Sequence, residues 1–343
     1  MKEHKKYKIT MMQLRMYMGR SLKHYPWPNK SKELSAKPAP YSPEKPEKTE
    51  DEIEQLLKMV STDTIKSWLL KLSSYHTRHS KSKYINEVAD WLRGEFESIG
   101  YNDVGFHNYT ENIDGNSYDL KNVICNKNGT NSNKRILICA HYDSRMKNLG
   151  DSESRAPGAN DNASGVSAIL EIARIIRKQN LKYPLQFALF SGEEQGLLGS
   201  KRYAKFVKDH NIPIYRLINL DMVGYPKLNP RMVIIERDNN GKPEHNQVKE
   251  NDKDSIEFGK VMADMSSYTD LQIQLDSIFD SDYEPFEAEG CVVIGAYDGS
   301  ADEVQNPHYH DGSDTPSLID WNYLTSVTKM VLATVLKAAK GNP

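Results

Sequence analysis

The sequence predicts an α/β protein, a three-layer α/β/α sandwich whose central sheet is mixed but mainly parallel. Two observations predict this fold. Beyond residue 134, short apolar runs alternate with segments whose apolar residues recur at the helical period, as in the βαβα order of parallel sheets. Polar residues follow directly after several apolar runs, as they do at the carboxyl ends of strands in open α/β sheets.

The first predicted elements are helices, followed by two strands. Apolar residues three to four positions apart predict helices at 53–60, 65–72 and 85–99. Gly100 is a natural left-handed stop for the third helix. The apolar runs 119–126 and 134–140 are separated by Asn, Gly and Ser, so we interpret them as an antiparallel pair at a sheet edge.

The later elements alternate between helix and strand. In chain order they are a helix at 163–178, a strand at 185–190, a helix at 194–209, a strand at 215–220, a helix at 254–267, a strand at 291–296 and a helix at 319–340. The chain contains no internal repeat. We therefore predict a single domain over residues 51–343.

The composition excludes several classes of protein. With 45 Lys and Arg against 47 Asp and Glu in 343 residues, the net charge of -2 argues against a nucleic-acid-binding surface over the whole protein. No run of 18 apolar residues occurs, so we expect no transmembrane helix. Three cysteines are too few for a disulfide framework, and we interpret Cys125 and Cys139 as small buried hydrophobic residues.

The first fifty residues differ from the rest of the chain. Residues 1–50 carry 12 Lys and Arg against 5 Glu, about +7, and hold six prolines between positions 26 and 46. We interpret this segment as a basic, flexible leader and linker. Residues 1–24 lack the apolar core of a secretory signal, so the sequence as given predicts no export and a cytoplasmic location by default.

Metal-type ligands follow the predicted strands or precede the predicted helices in five places. The five segments are His141–Ser144, Gly158–Gly165, Ser191–Glu194, Asp221–Tyr225 and Tyr309–Thr315. Each segment taken alone is more often a turn or a helix start, but their joint placement indicates one site. Imidazoles mixed with carboxylates, without thiolates, favour zinc.

The number of ligands decides between one metal ion and two. Two ions need a shared carboxylate, about two further ligands each, and room for a water molecule. The candidate ligands are His141, Asp161, Glu194, Asp221 and His310. With Asp161 as the shared carboxylate this set satisfies the count, and Glu193 remains as a carboxylate suited to accept a proton from water.

The same segments resemble those of a known family. The motifs AHYDS, GANDNASG, SGEEQGLLGS, NLDMVGY and HYHDGSDT, in this order, are similar to the co-catalytic zinc aminopeptidases typified by bacterial secreted leucine aminopeptidases. The resemblance covers about residues 61–340. It implies a zinc-dependent exopeptidase that hydrolyses the N-terminal peptide bond of peptides with a free N-terminus, and it favours an exported protein.

The resemblance also implies a role for each site residue. It assigns one zinc ion to His141, Asp161 and Asp221, and a second to Asp161, Glu194 and His310. Glu193 is then the general base. The resemblance further gives Asp143 a hydrogen bond to the outer nitrogen of His141, and gives Tyr309 the stabilisation of the oxyanion. We expect two zinc ions per chain, peptide substrates and a monomer.

Three other functions on this fold stay open at this point. They are a glutaminyl-cyclase-like transferase, a zinc carboxypeptidase and a non-catalytic binding module. The complete Asp161–Asn162 loop argues against the cyclase, and the intact ligand set argues against the binding module. Arg78, Arg145 and Arg155 lie near the motifs and keep the carboxypeptidase open. The sequence departs from the family at Tyr283, where many relatives have His, and at Asp311, where Thr is frequent.

Overall fold

The computed structural model describes residues 41–43, 51–131, 133–226, 231–239, 241–301 and 305–341. The α-helices of these residues are α1 (Asp51–Leu57), α2 (Thr62–Ser74), α3 (Ile85–Ile99), α4 (Gly165–Ile176), α5 (Leu198–Asp209), α6 (Asp252–Asp264), α7 (Glu284–Glu287) and α8 (Trp321–Lys340). The strands are β1 (Val104–Ile113), β2 (Asn116–Lys127), β3 (Arg135–His141), β4 (Leu185–Phe190), β5 (Ile214–Leu220), β6 (Met232–Arg237), β7 (Gln272–Ser277) and β8 (Val292–Tyr297).

The helix ends follow local rules of the chain. The Ser61 hydroxyl accepts a hydrogen bond from the Thr64 N–H at the start of α2, and the Asp320 carboxylate does the same for Tyr323 at the start of α8. Helix α3 stops at Gly100, whose φ of 103° suits glycine, as predicted. These caps satisfy backbone groups that have no partner within their own helix.

One sheet of eight strands runs in the order β1-β2-β4-β3-β5-β8-β6-β7. Its central strands β4, β3, β5 and β8 are parallel to one another, whereas β2 is antiparallel to β4 and β6 is antiparallel to β8. The predicted mixed, mainly parallel sheet is confirmed. Because the central strands are parallel, their carboxyl ends meet at a single edge of the sheet.

Helices cover both faces of the sheet and complete three layers. On one face, helices α2, α3, α4, α6 and α8 pack on strand residues such as Ile136 and Ile138. On the other face, α5 and α7 pack on alternate residues such as Leu137 and Cys139. The predicted α/β/α sandwich is therefore confirmed.

One predicted strand pairing is wrong. Strands β2 and β3 do not form an antiparallel pair, because β4 lies between them and pairs with both. A buried central strand needs a hydrogen-bonded neighbour on each side, and no local pattern indicates that β4 comes between the other two. Strand β2 instead forms a hairpin with β1 through Asp114 and Gly115, both at positive φ.

The structure also places the cysteines and the missed strands. Cys125 and Cys139 lie on opposite faces of the sheet, and the described cysteines are buried and free, as interpreted from the sequence.

Three strands were not predicted from the sequence. They are β1, β6 and β7, which lie at or near the two sheet edges. Strand β1 carries many polar residues, so its apolar pattern is weak.

Only residues 41–43 of the predicted leader are described. Tyr41 forms an antiparallel bridge to Ile273 of β7, with its N–H 3.1 Å from the Ile273 carbonyl oxygen. The Tyr41 hydroxyl donates to the Asp264 carboxylate at 2.5 Å. The predictions made for residues 1–24, and for the rest of 1–50, lie outside the described residues. Among the helices that are described, none has both the length and the apolar character of a membrane span.

Candidate metal centre

Consecutive strands deliver the candidate ligands to one edge of the sheet. His141 is the last residue of β3, Glu193 and Glu194 follow β4, and Asp221 follows β5. The carboxyl ends of these parallel strands lie side by side, so the four side chains meet there.

Asp161 lies at the centre of this cluster. Its Oδ1 is 3.2 Å from His141 Nε2, and its Oδ2 is 3.0 Å from His310 Nε2. The Asp221 Oδ1 is also 3.2 Å from His141 Nε2, and the Glu194 Oε2 is 3.1 Å from His310 Nε2. The structure therefore brings together all five predicted ligands, in two groups that share Asp161.

The carboxylate of Asp314 positions the loop that carries Asp161. The Asp314 carboxylate accepts hydrogen bonds from the N–H groups of Asn160 and Asp161 at 2.9 to 3.1 Å. Within Ala159–Ser164 the backbone of Asp161 and Asn162 is not helical, and the peptide bond between these two residues is cis. The hydrogen bonds to Asp314 fix the position of the shared carboxylate.

A fully buried arginine ties the same loop to its neighbours. The Arg78 guanidinium donates to the carbonyl oxygens of Tyr142 at 2.7 Å and Gly158 at 2.9 Å, and also to those of Leu72 and Pro157. Its five N–H groups form a planar fork, which suits several carbonyl partners at once. Arg78 thus stabilises the backbone around the cluster.

Asp143 connects two parts of the cluster. Its carboxylate oxygens accept the N–H of Glu193 at 3.3 Å and that of Glu194 at 3.2 Å. The His141 Nδ1 lies 3.3 Å from the Asp143 carbonyl oxygen and 3.5 Å from its Oδ1. Asp143 therefore contacts the outer side of His141 and also holds the turn that presents the two glutamates.

The two histidines carry raised pKa values because carboxylates surround them. Burial opposes the charged form of His141, yet Asp221 and Glu193 raise the pKa of its imidazole well above the usual range. Glu194 and Asp161 raise the pKa of His310 in the same way, against its burial. A metal ion bound at this cluster would replace those protons and balance the charge of the same carboxylates.

Glu193 differs from its neighbour Glu194 in its surroundings. Burial, with Glu194 and Asp221 close by, raises the pKa of Glu193 well above its usual range, although His141 opposes this. The pKa of Glu194 is lowered, because His310 and Arg145 outweigh its burial. The pKa values of the two adjacent glutamates are therefore shifted in opposite directions. Pairs of carboxylates with different roles at one site show the same contrast.

Tyr309 packs beside the cluster. Its ring lies against the His310 ring, with centroids 3.6 Å apart and planes 29° apart. Burial, together with Asp161 and Glu194, raises the pKa of the Tyr309 phenol well above its usual range. The phenol therefore stays protonated and is able to donate a hydrogen bond.

The donor set fits a divalent metal ion of the zinc type. Two imidazoles and three carboxylates form two groups of three ligand residues whose ligand atoms lie within 4.8 Å of one another. Among the residues that the structure describes, the buried Glu194 Oε1 has no hydrogen-bond partner, so an acceptor is left over within the cluster. The residues present thus match the requirements of a metal centre.

Sequence reasoning missed several residues that support the cluster. The Arg145 Nε donates to Glu194 Oε2 at 2.6 Å, and the Ser281 hydroxyl donates to Asp221 Oδ2 at 2.6 Å. Asp314 follows a ligand by only four positions, so its place in the HYHDGSDT motif was a usable signal. Tyr283, a departure from the family pattern, is fully buried and donates to Glu236 at 2.9 Å.

An α/β/α sandwich with a histidine–carboxylate cluster beyond its parallel strands has the arrangement that a metalloenzyme of the hydrolase type requires. A sequence model of peptidase family M28 matches residues 122–335, more than half of the chain. The chain therefore belongs to peptidase family M28 and is a metallopeptidase.

Curated relatives of this chain include fungal proteins. A "Probable zinc metalloprotease" of Phaeosphaeria nodorum is 27% identical, over 86% of this chain and 71% of its own length. One of the same description from Pyrenophora teres f. teres is 34% identical, but over 52% of this chain and 42% of its own length. The chain thus spans less than half of the second relative.

Solved structures share the fold. The Legionella pneumophila LapA aminopeptidase matches with a TM-score of 0.70 and 23% identity, over 88% of this chain and 78% of that one. The Porphyromonas gingivalis glutaminyl cyclase matches with a TM-score of 0.65 and 21% identity, over 81% of this chain and 98% of that one. Both kinds of enzyme therefore occur on this fold.

Proposed function

We propose that this metallopeptidase is an aminopeptidase with two zinc ions, which hydrolyses the first peptide bond of peptides with a free N-terminus. The observation that carries the proposal is the placement of Asp161, whose two oxygens face different imidazoles. In this proposal His141, Asp161 and Asp221 hold one ion. Asp161, Glu194 and His310 hold the other. The names of the fungal relatives support zinc as the metal.

Zinc bound at this cluster would polarise the substrate carbonyl and make water more acidic. Glu193 takes the proton from the attacking water and passes it to the departing amine. Burial, with Glu194 and Asp221 close by, raises the pKa of Glu193, which makes its carboxylate a stronger proton acceptor than a free glutamate. Tyr309, protonated beside His310, donates a hydrogen bond to the oxyanion. Asp143 positions His141 and both glutamates.

The charges around the cluster favour an aminopeptidase over a carboxypeptidase. A carboxypeptidase needs a cation for the substrate carboxylate, and two of the three arginines that left this possibility open are engaged elsewhere. Arg78 donates to backbone carbonyls, and Arg145 is paired with Glu194. Arg155 is exposed.

The first experiment combines metal analysis with a substrate panel. Elemental analysis of purified protein should give two zinc ions per chain. Aminoacyl-anilides should be cleaved, their N-acetylated forms should not, and a chelator should abolish cleavage. A peptide with N-terminal glutamine and one with a blocked N-terminus test the cyclase and the carboxypeptidase. Ring closure of the glutamine, or cleavage from the carboxyl end, would replace the aminopeptidase assignment.

A further inference from the structure

A second group of buried acids lies away from the catalytic edge of the sheet. Asp238 follows β6, which runs antiparallel to β8, so Asp238 lies towards the amino end of β8 rather than its carboxyl end. The Asp238 N–H donates to the Ser255 hydroxyl at 2.8 Å, and that hydroxyl donates to the Val293 carbonyl oxygen at 2.6 Å. These bonds fix Asp238 between α6 and β8.

The oxygens of this group lack hydrogen-bond partners. Asp238 and Glu287 are both fully buried, and among the described residues neither Asp238 oxygen nor the Glu287 Oε2 finds a donor. The other oxygen of Glu287 accepts the N–H groups of Gln247 at 2.9 Å and Val248 at 2.6 Å, which fixes the carboxylate in place. Unpartnered buried carboxylate oxygens are costly, so they call for a counter-charge.

Two amide oxygens add to the set. The Asn246 Nδ2 donates to Asp252 Oδ1 at 2.9 Å, and the Asn251 Nδ2 donates to the Cys291 carbonyl oxygen at 2.8 Å. These bonds define which end of each amide is oxygen, and both Oδ1 atoms are buried without a partner in the described part of the chain. The group therefore offers carboxylate and amide oxygens together.

The charges of the group are all negative. Burial, with Glu287 and Asp252 nearby, raises the pKa of Asp238 to about 7. Burial likewise raises the pKa of Glu287, to which Glu284 and Asp252 also contribute. Among the described residues, no Lys, Arg or His forms an ion pair with Asp238 or Glu287.

We propose that Asp238, Glu287 and Asn246, with Asp252 and Asn251 beside them, bind a hard divalent cation, calcium by preference. Calcium takes six to eight oxygen ligands from carboxylates and amide carbonyls in flexible arrangements, whereas magnesium keeps most of its water. The cation ties the ends of β6, α6 and α7 together and has a structural role, separate from hydrolysis.

The test measures calcium binding to the full-length, zinc-loaded protein in calcium-depleted buffer. Titration calorimetry should show one calcium ion per chain, bound at least about tenfold more tightly than magnesium. Calcium at about 100 times its Kd should raise the Tm by about 5 °C. Because zinc fills the catalytic cluster throughout, kcat should not change. Lack of binding at about 10 mM calcium, or equal binding of magnesium, would overturn the proposal.

Two variants locate the site. Asp238→Asn and Glu287→Gln should each weaken calcium binding at least about tenfold, because each removes a charge from the ligand set. The amide oxygen introduced by Glu287→Gln is still able to accept the N–H groups of Gln247 and Val248, so this variant keeps the fold if Asp238→Asn does not. Asp254→Asn, an exposed site on the first turn of α6, is the matched control and should bind calcium normally.

The main rival explanation is a proton shared between Asp238 and Glu287. In that case the wild-type protein binds no calcium, and its Tm falls as the pH rises through the raised pKa values of the two acids. Each variant then makes the Tm fall less over that pH range than it does in the wild-type protein. Calcium binding that persists unchanged in both variants would place the ion elsewhere and also overturn the proposal.

Discussion

At the scale of single residues, the proposed proton-transfer role of Glu193 differs most clearly from the metal-binding roles proposed for its neighbours. Replacing it by Gln keeps its shape but removes the group that accepts a proton. We expect Glu193→Gln to keep its zinc and to lose roughly 10²- to 10⁴-fold in kcat. Elemental analysis and steady-state kinetics on an aminoacyl-anilide measure the two quantities.

The matched control for this change is Glu153→Gln, which alters an exposed glutamate in a loop and should leave both quantities unchanged. The structure also places Glu193 in a group with His141 and Glu194 that is able to hold a metal ion. Loss of zinc from Glu193→Gln would therefore make Glu193 a ligand, and normal turnover would remove it from the chemistry.

Asp143 acts through other residues, so its loss should affect zinc binding before chemistry. Asp143→Asn weakens the hold on His141 and on the N–H groups of the two glutamates. We expect a loss of roughly 10- to 100-fold in zinc affinity, with kcat restored by excess zinc. Zinc titration followed by activity measures this, with the exposed Asp63→Asn as control. A kcat that stays low at saturating zinc would contradict a positioning role.

The sequence predicted which candidate ligands meet but not all of the residues that support them. His141, Asp221 and the glutamates follow apolar strands, and that pattern alone places them at one edge of a parallel sheet. Arg145 and Ser281 reach the same ligands from elements whose approach depends on tertiary packing. No local pattern reports such a contact, so only the structure shows these two residues at the site.

At the scale of elements, apolar periodicity predicted the helices and the buried strands well but not which strands are neighbours. The strand predicted at 185–190 has those bounds in the structure. The apolar runs of β2 and β3 are each compatible with any buried neighbour, and their short connection suggested a hairpin. The edge strands β1 and β7 carry too many polar residues for a clear pattern.

The structure also differs from the prediction in where the helix beside the site begins. The helix predicted at 194–209 begins at Leu198, because residues 191–197 form the turn that presents Glu193 and Glu194. Gly192 and Gly196 both have positive φ in that turn. The turn at the carboxyl end of the strand therefore delays the start of the helix. Apolar periodicity alone does not predict this delay.

Arg78 ties together elements that surround the ligand loop. Arg78→Ala would leave four carbonyl oxygens without their donor, and we expect a cost of roughly 3–5 kcal/mol and a Tm lower by roughly 5–10 °C. Thermal unfolding measures this. Arg78→Lys should recover only part of the loss, because an ammonium cannot reproduce the planar fork.

An exposed arginine gives the control for that experiment. Arg93 forms an i,i+4 ion pair with Glu97 on the surface of α3, so Arg93→Ala should change the stability by less than about 0.5 kcal/mol. A Tm for Arg78→Ala within the error of the control would show that neighbouring groups or water replace the guanidinium.

At the scale of the whole molecule, the metal centre couples folding to zinc and to pH. Without zinc, carboxylates raise the pKa values of His141 and His310, against their burial. Protonated histidines therefore stabilise the zinc-free fold below the unfolded histidine pKa of about 6.5, and this contribution is lost as the pH rises through the raised values. The raised pKa of Glu193 has the same sign, because it too favours a bound proton.

Zinc binding has the opposite dependence on pH, because a ligand imidazole must be neutral and its proton must leave. We therefore expect the rise in Tm on adding zinc to be larger at about pH 8 than at about pH 6, with protons released on binding. Unfolding scans with and without zinc, and calorimetry in buffers of different ionisation enthalpy, measure both effects. His310→Gln should lower both the proton release and its pH dependence. If the zinc-induced rise in Tm is the same at both pH values, zinc displaces no protons from the histidines in this range. The two histidines would then already be neutral in the zinc-free protein, and the prediction would be contradicted.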